Sequence, residues 1–300
     1  MRITQRAVTL SSLQGLNSNL AALNKLQQQL TSGKTISKPS DSPTGTNTSL
    51  QTRKAIAGND QYGRNISDGK TFLDSTDSAL QDMLTQVRRV RDLTVQALNN
   101  GATSDSSQQA IATEVAGIRE SLIGQANQVV QGRPLFGGVT AGSKAYDATG
   151  AYVGVGGTAG VPVQPLTRRV SDVETIRVDL TGPEAFGDPA SGKDLFAVVQ
   201  KVAAHVADPT ALGTDLSDLD NVINGLLASA ADIGTRANRM DTADSINSSQ
   251  QLTLKSQLSA TEDVDLPKTI MEMQMQQTGY QSALQVTAKI MQPTLLDYLR

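Results

Sequence analysis

Apolar residues near the start of the chain recur at alternating intervals of three and four: Leu13, Leu16, Leu20, Leu23 and Leu30, with Gln27 in the same row. That period lays one stripe along a helix, and the Gln, Asn, Ser, Ala and Lys between leave the other side polar. A matching stripe stands at the far end: Ile270, Met273, Gln277, Tyr280, Leu284, Thr287 and Met291. Two heptad helices at opposite ends of 300 residues predict that the chain leaves, returns and pairs its own termini. A helix of such length is marginal alone in water because nucleation is costly. The terminal stripes are therefore expected to order fully only against neighbouring subunits, with Leu13, Leu16, Leu20, Leu23, Leu30, Ile270, Met273, Tyr280, Leu284 and Met291 as the assembly interface.

Between the stripes the pattern stays mostly helical. Thr31-Ser32-Gly33-Lys34 reads as a helix stop with Gly at the C′ position, and Ser37–Asn47 as an irregular connector. A shorter helix to about Tyr62 and a break at Asn65-Ile66-Ser67-Asp68-Gly69 are expected next. The row Leu73, Thr76, Leu80, Met83, Val87, Val90, Thr94 and Ala97 predicts a long helix ended by Asn99-Asn100-Gly101. Ser104–Ser107 then caps a third helix with the stripe Ile111, Val115, Ile118, Leu122, Gln125 and Val129, antiparallel to the second.

At Gly132 the composition turns Gly-rich up to about Pro189, and Thr175–Leu180 alternates like a half-buried strand. Both boundaries are flexible punctuation, so this insert is expected to be removable without loss of the helices. Asp194–Val206 predicts a short helix. The row Leu216, Leu219, Ile223, Leu226, Ala230, Ile233, Ala237 and Met240 predicts a long one, interrupted at Asp263-Val264-Asp265-Leu266-Pro267 before the terminal stripe. Pro293 should end or kink that last helix before Leu295, Leu296, Tyr298 and Leu299.

The expected fold is mainly α: a long antiparallel, coiled-coil-like helical rod built from both ends of the chain, with a small β-rich inserted domain. Its parts are a terminal helical pair (1–45 with 262–300), a helical rod (46–132 with 190–261) and the outer insert (133–189).

Composition narrows the function. Aromatics are 3% and Trp is absent, which suits narrow helical seams. A net charge of −3 without a basic patch argues against nucleic acid, and no apolar run reaches the roughly 18 residues of a membrane span. With no cysteine, disulfides and thiolate metal sites are excluded. Met1–Arg6 lacks the apolar core of a cleaved signal, so the expectation is a cytoplasmic chain or export without a cleaved leader.

Candidate chemistry is thin. His205 is the single histidine, so no Ser-His-Asp arrangement can be built, and a surface or helix-face position is expected for it. Gly154-Val155-Gly156-Gly157 lacks the Lys-Ser/Thr and strand-to-helix context of a phosphate loop and reads as a turn. Glu262, Asp263 and Asp265 match no EF-hand spacing and read as helix-start caps. Arg88, Arg89 and Arg91 lack stacking aromatics and read as a solvated or subunit-facing side. Of Met271, Met273 and Met275, only Met273 lies on the stripe. No catalytic, cofactor or metal site is expected, and residues 132–190 contain neither His nor Cys.

Leu26-Gln27-Gln28-Gln29-Leu30-Thr31-Ser32-Gly33-Lys34, followed by Pro39-Ser40-Asp41-Ser42-Pro43, resembles the N-terminal signature of flagellins and hook-associated proteins. Arg64–Gly69, Val87–Ala97, Glu262–Asp265 and Ile290–Leu299 resemble the family's further blocks, in order. Met1–Thr4, Gly132–Gly138 and Leu295–Leu299 fit the hook–filament junction branch, with a short flagellin as the alternative. The resemblance implies a structural subunit of the bacterial flagellum, not an enzyme, exported unfolded to the cell exterior. Its implied partners are other copies of itself, a second hook-associated junction protein, flagellin, an export chaperone and the flagellar type III export apparatus.

Overall fold

The computed structural model describes residues 5–99, 104–140, 142, 144–155 and 162–291. Among the described residues there are seven α-helices: α1 (Gln5–Ser32), α2 (Pro43–Asn99), α3 (Asp105–Ala126), α4 (Gly182–Phe186), α5 (Leu195–His205), α6 (Pro209–Glu262) and α7 (Leu266–Met291). Four short strands, β1 (Val129–Val130), β2 (Arg133–Pro134), β3 (Thr167–Arg169) and β4 (Thr175–Arg177), form two separate antiparallel pairs, β1 with β2 and β3 with β4. The chain is mainly α, as the periodicity predicts. It divides into two compact units, one made of its two ends up to Gly58 and from Gln250, the other of Asn59–Ser249.

In the Asn59–Ser249 unit, α2 runs antiparallel to α6. Asn59 bonds to Asn247, Lys70 pairs with Asp241 and Arg91 with Asp220, so rising numbers in one meet falling numbers in the other. Arg89 with Glu114 and Gln86 with Ser121 place α3 antiparallel to α2 on another side. The predicted α2 row from Leu73 to Thr94 is buried at every position. Its two threonines cost little there, because each hydroxyl donates to the carbonyl four residues back, Thr76 to Phe72 and Thr94 to Val90, both at 2.8 Å.

Two expectations fail in this unit. Asn65–Gly69 does not break the helix, for α2 is continuous through it. These residues instead seat the β3–β4 hairpin: Asn65 Nδ2 donates to the Arg169 carbonyl at 2.9 Å, and Asp68 accepts from Arg168 at 2.6 Å. Gly69 is the close approach, where a Cβ would stand 2.6 Å from Met240 Cε and 3.1 Å from Val178. Residues that favour turns in isolation serve here as short side chains under a neighbouring backbone, and packing outweighs their weak helix propensity.

The second failure concerns the insert. Leu135, Phe136, Tyr146, Ile176, Val178 and Phe186 belong to the same buried cluster as the α2, α3, α5 and α6 cores. Phe136, Tyr146, Tyr152, Phe186 and Phe196 are more than half of the chain's four Phe and five Tyr. They stack together, with centroids 4.7 Å apart for Phe136–Phe186 and for Tyr146–Phe196. The insert thus shares the helical core instead of keeping one of its own. At the Gly132 end a turn does occur: Gln131 and Gly132 both take positive φ in the two-residue turn between β1 and β2.

In the unit built from the two ends, α1 packs along α7. Gly33 at φ 69° ends α1 as the expected C′ residue. Pro293 and Leu295–Leu299 lie outside the described residues, as do Asn100–Gly101 and Gly156–Gly157.

Candidate functional site

The pairing of α1 with α7 differs from the predicted one in rotation. On α1 a heptad of half-buried residues runs Thr9, Ser12, Leu16, Asn19, Leu23, Leu26 and Leu30, with Gln29 half-buried as well. On α7 they are Met273, Gln276, Tyr280 and Ala283, with Thr269 and Thr287 buried. Both sets are true heptads, yet each shares only one row with its predicted stripe. Leu16, Leu23 and Leu30, with Met273 and Tyr280, lie in the seam as expected. Leu13, Leu20, Ile270 and Leu284 do not: they are 45%, 39%, 43% and 43% exposed. The side chain of Met291 lies outside the described residues.

The seam therefore holds Ser12, Asn19, Thr269, Gln276 and Thr287 beside Leu16, Leu23, Leu26 and Leu30, while Leu13, Leu20, Ile270 and Leu284 stand outside it. Its glutamine is Gln276, not Gln27 or Gln277, both of which are exposed. Gln276 Nε2 donates to Asn19 Oδ1 at 3.2 Å and to the Asn19 carbonyl at 3.4 Å. Polar pairs of this kind set register in helical seams. Met271 and Met275 add further exposed, adaptable apolar surface to α7.

Where α1 ends and α7 begins, the chain is clasped. An isolated antiparallel bridge joins Lys34 to Asp263, with Thr35 N donating to the Glu262 carbonyl at 2.6 Å and Val264 N to that of Gly33 at 3.0 Å. Glu262, expected as a cap, is instead the ionic centre of this clasp, its side chain 6% exposed. Its carboxylate accepts from Arg53 Nε at 2.9 Å and Nη2 at 2.6 Å, from Lys34 Nζ at 2.8 Å, and from Ser49 Oγ. The Arg53 hydrogen bonds outweigh the opposing desolvation and, with Lys34, hold this carboxyl down at about 2. Asp265 does cap α7, accepting from Lys268 N at 3.2 Å. Three-dimensional contact, not any local pattern, separates Glu262 from its acidic neighbours.

The remaining candidates are absorbed by packing. His205 ends α5 with Nδ1 2.7 Å from the buried carboxylate of Asp215. Arg89 and Arg91 are paired with Glu114 and Asp220, and Lys193 bridges to Asp218 across the cleft beside Phe186. Among the described residues, no group of three or more His, Asp or Glu is placed to hold a metal ion, and no helix is long and apolar enough to cross a membrane.

Comparison with known proteins fits this arrangement. The bacterial flagellin N-terminal helical region matches residues 3–140, and the C-terminal helical region matches residues 216–299. Flagellar hook-associated protein 3 of Salmonella typhimurium is 28% identical over 94% of this chain and 95% of its own length. The flagellin of Bacillus subtilis is 29% identical over 91% of this chain and 90% of its own. Among solved structures, FlgL of Bacillus cereus matches 70% of this chain and 99% of its own at 25% identity, with a TM-score of 0.59. A putative flagellar hook-associated protein of Vibrio parahaemolyticus shares the fold at 23% identity, covering 74% of this chain and all of its own, with a TM-score of 0.65. The chain, with both helical regions in order around a compact insert, belongs to the bacterial flagellin family: it is a structural component of the flagellum and not an enzyme.

Proposed function

We propose that this chain is the junction subunit between hook and filament, and that the outer face of the α1–α7 pair is where it joins neighbouring axial subunits. The observation that carries this reading is the apolar row left outside the seam: Leu13, Leu20, Ile270 and Leu284 are 39–45% exposed, beside a seam in which Ser12, Asn19 and Gln276 alternate with Leu16, Leu23, Met273 and Tyr280. Exposed apolar rows on a helical pair are costly in an isolated molecule and useful in an assembly that covers them. Leu16, Leu23, Leu30, Met273 and Tyr280 serve the same interface from behind, by holding the two helices together.

The junction role, rather than that of a filament subunit, is supported by the near full-length similarity to hook-associated protein 3. A filament subunit carries two mutually complementary surfaces and adds to itself without limit. A junction subunit meets a hook-associated protein on one side and flagellin on the other, so self-addition must be weaker than addition to either partner. Export through the flagellar type III apparatus with a chaperone, and residence outside the cell, complete the reading. The proposed organisation has three parts, residues 1–45 with 262–300, 46–132 with 190–261, and 133–189, the third sharing its core with the second.

The test is electron microscopy of the purified chain in negative stain, at concentrations where a flagellin polymerises. The chain should remain monomeric or form small oligomers, and long regular filaments of it alone would reassign it as a flagellin. Leu20→Asp or Leu284→Asp should abolish motility in cells that depend on this chain. Normal swimming by both variants would remove the α1–α7 face from the interface.

A further inference from the structure

Along the facing rows of α2 and α6, the buried side chains change character at one level. The α2 row runs Thr52, Ile56, Asn59, Gly63 and Ile66, and the α6 row Met240, Ala243, Asn247, Gln251 and Leu254. Among the described residues, no apolar side chain of α2 is buried before Ile66, and none of α6 after Ala243. The next buried positions outward are Asn59 and Asn247, each 8% exposed. Their amides bond reciprocally. Asn59 Nδ2 donates to the Asn247 carbonyl, and Asn247 Nδ2 to the Asn59 carbonyl and to Asn59 Oδ1, all at 2.9 Å. Gly63 leaves them room, since a Cβ there would stand 3.3 Å from Asn247 Oδ1. Further out on both helices the buried side chains are Ser49, Thr52 and Glu262, all polar. Gly58, beside Asn59, has open space where a Cβ would stand. No close packing calls for glycine there, and it weakens the helix at that point. The compact unit itself begins at Asn59 and ends at Ser249.

We infer that the Asn59–Asn247 pair is a stop: helices opening from their outer ends come apart as far as these two amides and no further, so the pair fixes where the standing part of α2 and α6 ends. The polar character of the stop has a physical reason. Opening it gives up three hydrogen bonds, each of modest net worth because water replaces it. That is enough to close the Asn59–Ser249 unit and too little to drive pairing beyond it. Leucine at both positions would carry the apolar rows out to the half-buried Ile56 and Leu254, and burial would then extend the pairing outward. The amides thus hold constant the length of chain left to order separately. That this length serves ordering against neighbouring subunits rests on the assembly reading above; the position of the stop does not.

The test is amide hydrogen exchange of the dilute full-length chain, read by mass spectrometry of peptic peptides, with circular dichroism as the check on folding. In the unaltered chain, amides of residues 63–69 and 244–249 should exchange at least about tenfold more slowly than those of 47–58 and 252–262. N59A and N247A each remove two of the three hydrogen bonds. Either should speed exchange of 63–69 and 244–249 by about tenfold, with 73–94 unchanged. N59L combined with N247L should do the reverse, slowing exchange over 47–58 and 252–262 by about tenfold. Equal protection on both sides of the pair in the unaltered chain overturns the proposal. So do alanine variants that leave 63–69 and 244–249 unmoved, or a leucine variant that leaves the outer exchange where it was. These rates are read without assembly. Failure of the junction role would leave them unchanged, and their failure would leave the microscopy of the purified chain unaffected.

Discussion

The α2–α6 region and the α1–α7 pair are written with the same three-four spacing and use it in opposite ways. In α2 the row from Leu73 to Thr94 predicted from the sequence is the row that is buried, and adjacent positions such as Phe72, Ala79 and Leu84 are buried as well. From Leu73 to Thr94 that helix has neighbours on more than one side, so its apolar rows there find partners. In the terminal pair only one row coincides, and the other apolar row is turned outward. A helix with several neighbours has one rotation that satisfies them all. A helix with a single neighbour has a choice, and polar contacts decide it.

The contrast sets the order of expected effects. Removing 138–188 with a short linker takes Tyr146, Ile176, Val178 and Phe186 out of the shared core. Loss of the cooperative thermal transition and of much of the helical circular dichroism is expected. A deleted chain that melts like the intact one would show that the core clusters are separable after all. Next, Leu80→Ala, at a site 1% exposed, should cost about 2–5 kcal/mol, measured by chemical denaturation.

Glu262→Gln should act more locally. Losing charge-assisted hydrogen bonds from Arg53 and Lys34 costs roughly 1.5–3 kcal/mol at neutral pH. Faster hydrogen exchange in α1 and α7, with little change in α2 from Leu73 onward, is the expected signature. Because the folded carboxyl titrates below its ordinary value, its contribution is present above about 4.5 and is lost as pH falls towards about 2. The wild-type clasp should therefore loosen across that acid window, and E262Q should show no such step there. An equal acid step in both proteins would assign it to other carboxylates. Smallest of all, Leu20→Ala should change the stability of the dilute chain by less than about 0.5 kcal/mol, since the side chain already stands partly in water. A loss comparable to that of Leu80→Ala would mean Leu20 is buried in the free chain.

Much was legible in the residues alone. Helix period is a local property, which is why the rows of α2 and α6, and of α3 as far as Gln125, could be read off directly; Val129, expected on α3, lies in β1 because the helix has already ended at Ala126. Gly33 as a helix stop and the change of composition at Gly132 could be read from glycine alone, and the flagellin-type blocks at both ends carry the family without any structure. Other features were decided only where distant segments meet. Asn65–Gly69 carries turn-forming residues, yet stays helical because the β3–β4 hairpin lies against it. Glu262 and Asp263 look alike in sequence, and only Lys34, Ser49 and Arg53, more than 200 positions away, distinguish them. The outward turn of Leu13, Leu20, Ile270 and Leu284 belongs to the same class. Spacing specifies that a stripe exists, but two stripes sharing a row differ only by rotation, and rotation is set by what the helix touches.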